Sequence, residues 1–394
     1  MKRRQLIMLP GAALAARGAF GQAGAVPPSA SQASADMPDK LLLKDYRPLS
    51  IYKVPVTEVS KAKYPVIDIH NHGIRSGPVD EMVKTMDTVG VERVTILTQA
   101  GTPQRFAEIR QPYTKYPDRF DLWCGFDLSG IDQPGFGSAA VQALEECHRI
   151  GARGVGELVD KGRGFGTMQW SGAGRGSGGT GAGGRSGGER PAGPHPDDPR
   201  LDALWDKCAQ LAMPISLHVS DPIWGYLPMD HHNDGLMNGW TWRIDDKQPG
   251  VLGHDGLLAS LEATAQKHPK TIFVACHLAN LDYDLTRLGQ MFERHPNLYA
   301  DIGARFAEVA PIPRFANQMF RKYADRILYG TDFGYNPQQM RGTFRLLESL
   351  DEHYYNGYQY HWAWNGLGLP DEVLRKIYRD NALQVIEQAR RHAA

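Results

Sequence analysis

From Pro65 onward, short continuous apolar runs alternate with segments whose apolar residues recur every three or four positions. The runs at 65–70, 92–98, 120–126, 153–158, 214–219, 271–277, 297–303 and 326–332 read as buried strands. Between them, 79–89, 103–115, 138–150, 200–211, 255–267, 281–294 and 311–323 carry helical spacing, and an eighth helix at 339–350 follows the last strand. Eight strand-then-helix units in one series predict an α/β fold, a closed (β/α)8 barrel of parallel strands inside a ring of helices. An open doubly wound sheet is the alternative, but no GxGxxG follows the first strand. A last segment, 370–390, carries Val373, Ile377, Leu383 and Ile386 on one face and predicts an extra C-terminal helix packed on the outside. The barrel domain is therefore 65–394, preceded by an extension at 31–64.

Two insertions and a leader interrupt the pattern. Residues 171–188 hold ten glycines in eighteen positions and almost no large apolar group, the composition of a flexible loop. No Lys-Ser or Lys-Thr closes it, which argues against a phosphate cradle. The second insertion, about 220–254, is rich in aromatic and polar groups: Trp224, Tyr226, His231, His232, Trp240, Trp242, Arg243 and His254. It follows the fifth strand, so on a barrel it lies over the mouth, where Trp224 is a candidate substrate contact. The first 30 residues join Lys2-Arg3-Arg4 to an apolar stretch from Leu6 to Ala16 and small residues beyond, and read as an export signal. Arg3-Arg4-Gln5-Leu6-Ile7 resembles a twin-arginine signal, although Arg17 interrupts the apolar stretch. The expected location is periplasmic, or cytoplasmic if the leader is not a signal.

Composition narrows the partners. The 394 residues are 42% hydrophobic and 22% charged, enough for a sizeable core. Lys+Arg and Asp+Glu are both 44, and a net charge of zero argues against nucleic acid. No later apolar run approaches the ~20 residues of a membrane span. The expected partner is a small-molecule substrate, with a homodimer left open. Cys124, Cys147, Cys208 and Cys276 are scattered without a CxxC pair; Cys124 and Cys276 read as small buried residues, and nothing requires a disulfide.

The chemistry sits where the apolar runs end. His70 and His72 close the first, and residues two apart on a strand point the same way, so their imidazoles converge. His218, His277 and Asp332 end the fifth, sixth and eighth runs. His70, His72, His218 and Asp332 supply the three or four N/O donors that a catalytic divalent metal needs, and Asp332 is also placed to move a proton. His277 either polarises substrate or joins a second metal. Glu157, ending the fourth run, is a candidate ligand for that second ion. Arg305, just past the seventh, is a candidate clamp for a substrate carboxylate, with a surface ion pair as the plainer reading. His231, His232 and His254 are read as loop histidines.

Ile69-His70-Asn71-His72, Ser216-Leu217-His218, Cys276-His277 and Tyr329-Gly330-Thr331-Asp332-Phe333 together resemble the amidohydrolase superfamily. The nearest branch is the amidohydrolase-related one, with its metal-dependent hydrolases and aminocarboxymuconate-semialdehyde-type decarboxylases. The resemblance covers about 65–350. It implies a (β/α)8 (TIM) barrel and a divalent metal, usually zinc, held by His70, His72, His218 and Asp332, with His277 acting on substrate. Some relatives place a bridging ligand where Glu157 stands, others a lysine. No lysine occupies this strand and Lys161 follows it, so a carbamate bridge is not indicated. The leading expectation is a hydrolase that uses metal-activated water on an amide, ester or lactone, with Asp332 as proton shuttle and His277 steadying the oxyanion. The alternatives are a metal-dependent decarboxylase of an aromatic or unsaturated acid, and a non-catalytic metal or small-molecule binding protein.

Overall fold

The computed structural model describes residues 40–73, 77–166, 192–356 and 360–393. The leader and the glycine-rich stretch 171–188 lie outside these. Residues 40–46 belong to one unit and hold a 3-10 turn at Leu43–Asp45. Arg47–Ala394 form the other, described from here on.

Eight parallel strands are found where the apolar runs predict them: β1 Val66–Asn71, β2 Val91–Leu97, β3 Phe120–Trp123, β4 Val155–Asp160, β5 Ile215–Val219, β6 Phe273–Ala275, β7 Leu298–Asp301 and β8 Ile327–Leu328. Each pairs with its neighbour within β1–β3 and within β4–β8. Backbone hydrogen bonds join these two groups at both seams. Between β3 and β4, Cys124 N donates to Gly154 O at 3.0 Å and Gly156 N to Cys124 O at 2.7 Å. Between β8 and β1, Ile69 N donates to Tyr329 O at 3.0 Å and Asp332 N to His70 O at 2.8 Å. The sheet is thus a closed barrel.

The helices are α1 Val79–Val89, α2 Pro103–Arg110, α3 Phe136–Arg149, α4 Asp202–Gln210, α5 Leu236–Trp242, α6 His254–Lys267, α7 Leu285–Arg294, α8 Phe306–Val309, α9 Pro313–Lys322, α10 Pro337–Glu348, α11 Asp371–Arg375 and α12 Asn381–Ala393. Helix α5 lies within the 220–254 insertion. The helix expected from 281 starts at Leu285, where Asp284 caps it by accepting from Arg287 N. None of these helices is long and apolar enough to cross a membrane.

The end of the chain departs from the expected outer helix. α11 runs through a π turn at Lys376–Asp380 into α12. Ala382, Val385 and Ala389 join the cluster of Ile67, Ile69, Val274, Tyr299 and Leu328, which are strand residues. Asn381 donates to Ala324 O and Ile327 O, both at 2.6 Å. The helix therefore closes the end of the barrel where the strands begin, and the opposite mouth is left for chemistry.

Asp68, wholly buried in β1, ties the β8 seam together. It accepts from Thr331 Oγ1 at 2.6 Å, Thr331 N at 3.0 Å, His70 N at 3.1 Å and Asn71 Nδ2 at 3.2 Å. Without it, four donors would lose a shared acceptor in a dry interior. Asp68→Ala is expected to cost about 3 kcal/mol or more in urea unfolding; an unchanged midpoint would contradict this account of the seam.

Candidate metal centre

The predicted site residues reach the mouth by sharp exits from their strands. His277 and Asp332 have φ of 61° and 57°, and His277–Asn280 form a left-handed turn of four non-glycine residues. Such backbone costs L-residues energy, and its presence marks a place where side-chain direction outweighs comfort. Gly330 makes room beside it: a Cβ there would lie 2.7 Å from His70 Cβ.

Four overlapping groups of donors result, two of them His70 with Glu157 and Cys276 and His70 with His277 and Asp301; the other two divide the predicted ligands. His70, His72 and Asp332 form one; Glu157, His218 and His277 form the other. In each, the ligand atoms lie within 4.8 Å of one another. Glu157 links them, with Oε1 at 2.6 Å from His218 Nδ1 and 3.5 Å from His277 Nε2, and Oε2 at 3.2 Å from His72 Nε2. Asp332 Oδ1 is 3.2 Å from His72 Nε2 and 3.5 Å from His70 Nε2. The Asp332 side chain is 27% exposed against 5% for Glu157, so it is the carboxylate that solvent reaches.

The ring orientations are set from behind. His70 Nδ1 meets Asp301 Oδ2 at 2.9 Å, while its buried Nε2 has no hydrogen-bond partner. His72 Nδ1 donates to Leu97 O at 3.2 Å and His277 Nδ1 to Gly303 O at 2.8 Å. A carbonyl or carboxylate behind each ring fixes its tautomer and points the other nitrogen inward. Four imidazoles and two carboxylates, with an orphaned buried nitrogen among them, make a donor set suited to a divalent cation.

Electrostatics agree with the geometry. Burial disfavours charge on His72, yet hydrogen bonds to Asp332 and Glu157 prevail and raise it to about 9. Burial likewise opposes charge on Glu157 and Asp332, but the imidazoles hold both well below the usual carboxylate range. His277 goes the other way: burial and the neighbouring His218 push it down to about 4. It is then neutral near pH 7, with its proton on Nδ1 and a lone pair at Nε2. That nitrogen is turned to the donor cluster and lies 3.2 Å from His218 Nδ1.

The remaining candidates divide. Arg305 is not a surface residue but 7% exposed. Its guanidinium donates to Ala304 O at 2.7 Å and Asn280 Oδ1 at 3.2 Å, and lies 3.4 Å from Asp282 Oδ1. Trp224 stands outside these donor groups, packed on Gly235, with its buried Nε1 unpartnered. Lys161 pairs with Asp221 at 2.8 Å. His254 is a buried residue opening α6, not a loop histidine. All four cysteines are free and buried. Sequence reasoning missed Asp301 as the partner of His70, although it lies in the seventh apolar run and ends β7.

A closed parallel barrel with this donor set at its mouth defines a metal-dependent barrel enzyme. The chain matches the amidohydrolase family over residues 67–387 and belongs to that family. No protein of curated function matches it. Similar solved structures include an uncharacterized TIM-barrel protein from Bordetella bronchiseptica, at 14% identity and TM-score 0.49. Others are a 2,6-dihydroxybenzoate decarboxylase from Rhizobium (17%, TM-score 0.48) and a probable 2-pyrone-4,6-dicarboxylic acid hydrolase from Acinetobacter baumannii (10%, TM-score 0.46). Each comparison covers 82% of this chain and 99% of the other.

The raised His72 has a consequence for the metal-free protein. Its folded value of about 9 lies above its ordinary 6.5, so its contribution is whole below pH 6.5 and is lost as pH rises through 9. Chelator-treated protein should therefore melt at falling temperature across that interval, and His72→Gln should flatten the slope. An equally steep fall in the variant would assign the dependence elsewhere.

Proposed function

We propose that this protein is a metal-dependent hydrolase that cleaves an amide, ester or lactone bond of a small organic molecule. The observation that carries the proposal is the position of Asp332: a carboxylate reached by solvent, among imidazoles, at the edge of the donor cluster. Hydrolysis needs a base that can meet both water and the leaving group, and Asp332 fits that need.

In this reading His70, His72, His218, His277, Glu157 and Asp332 hold the cation, most simply zinc, either as one ion or as two. When bound, it supplies Lewis acidity that polarises the carbonyl and lowers the pKa of water at the site. The chain's own groups do the rest. Asp301 and the carbonyls of Leu97 and Gly303 keep the imidazoles aimed. Asp332, held ionised by His72 and its neighbours, takes a proton from the attacking water and returns it to the departing heteroatom.

Decarboxylation would use the same donors, with a group that delivers a proton to carbon in place of one that takes a proton from water. The test is product chemistry on a panel of lactones, amides, esters and carboxylated aromatics in 18O-labelled water. Solvent oxygen in the product is expected. Carbon dioxide released without label would overturn the proposal in favour of a lyase. Chelation should abolish turnover and zinc restore it, and Asp332→Asn should lower kcat on the order of 10^3-fold.

A further inference from the structure

His218 is aimed by a carbonyl of its own strand end. Its Nε2 donates to Ser220 O at 3.0 Å, which turns Nδ1 toward Glu157 and leaves it 3.2 Å from His277 Nε2. Ser220 presents that carbonyl from a left-handed backbone, φ 68°, in a fully buried position. Glycine would hold such a turn with less strain. The serine hydroxyl, however, is fully engaged: Oγ lies 2.6 Å from His254 Nδ1, 2.9 Å from Tyr226 Oη and 3.2 Å from Asp221 O. Ser220 N donates to Asp160 O at 2.9 Å, so the residue is fixed on both sides.

Tyr226 and His254 stand at the two feet of the 220–254 insertion. Tyr226 follows a 3-10 turn at Ile223–Gly225, and His254 opens α6. Their rings meet edge to face with centroids 5.4 Å apart, and the serine hydroxyl is bonded to both. The proposed reaction uses neither ring. We propose that Ser220, clamped through its hydroxyl between Tyr226 and His254, is a positioning residue that holds His218 Nε2–H on the Ser220 carbonyl and thereby couples the insertion to the metal centre. The proposal rests on the metal-centre reading above for its purpose, but the orientation of His218 is measurable without a metal.

Two variants of the full chain test it, Ser220→Gly and Tyr226→Phe. Glycine suits the backbone, so a role confined to the turn predicts no loss. The readouts are cobalt(II) affinity from absorption titration, and the 15N–1H correlation of His218 Nε2–H in metal-free protein, assigned against His218→Gln. A protected Nε2–H signal is expected in the wild type. Ser220→Gly should broaden or lose it and bind cobalt about 10-fold more weakly, as loss of a ligand's orienting partner does, with Tyr226→Phe between. Retention of the signal and of full affinity in Ser220→Gly would overturn the clamp. If the wild type bound no cobalt, the metal reading would fail, and the His218 signal would still decide the clamp.

Discussion

The backbone hydrogen bond from Asp332 N to His70 O helps to close the barrel and sets two members of the donor cluster side by side. Residues more than 260 positions apart meet only because β8 returns to β1. Asp68 reinforces the same seam through both Thr331 donors. The ligand geometry is thus a property of barrel closure, and a fault in the seam is a fault in the site. Placing α12 over the opposite end follows the same logic, because a barrel sealed where its strands begin has one open mouth.

The barrel was legible because buried parallel strands write themselves as unbroken apolar runs, and all eight lie where those runs predict. The histidines and Asp332 were legible because each ends such a run. What a run cannot convey is which atom of a side chain is left free. For His277 it is Nε2, because Gly303 O takes the Nδ1 proton. Asp301 went unread because its partner, His70, lies six strands away. The outward placement of the last helix failed for a related reason: a helical stripe states that one face is buried, not against what. Val385 and Ala389 face the barrel interior, which no local spacing reveals.

Strain concentrates where the site is built. Ser220, His277 through Asn280, Ala304 and Asp332 all leave their strands with positive φ and none is glycine. At Ser220, His277 and Asp332 the side chain, or the carbonyl beside it, serves the donor cluster, and the backbone bears the cost. The opposite trade appears at Gly330, where a side chain would collide with His70 and only glycine leaves room.

Arg305 belongs to a second buried charge system beside the first, and its charge helps to hold His277 down. Asp282 lies 3.4 Å from its guanidinium and Glu308 4.0 Å, with Tyr360 Oη donating to Glu308 at 2.8 Å. One cation faces two carboxylates, and burial pushes both Glu308 and Asp282 above the usual carboxylate range. A guanidinium so occupied has little left for a substrate carboxylate. Removing it would strand two acids in a dry interior, a penalty that falls on folding first. Loss of activity on replacing Arg305 would therefore say more about the integrity of the mouth than about recognition. The carboxylates around it are better evidence of what the protein cannot expose than of what it binds.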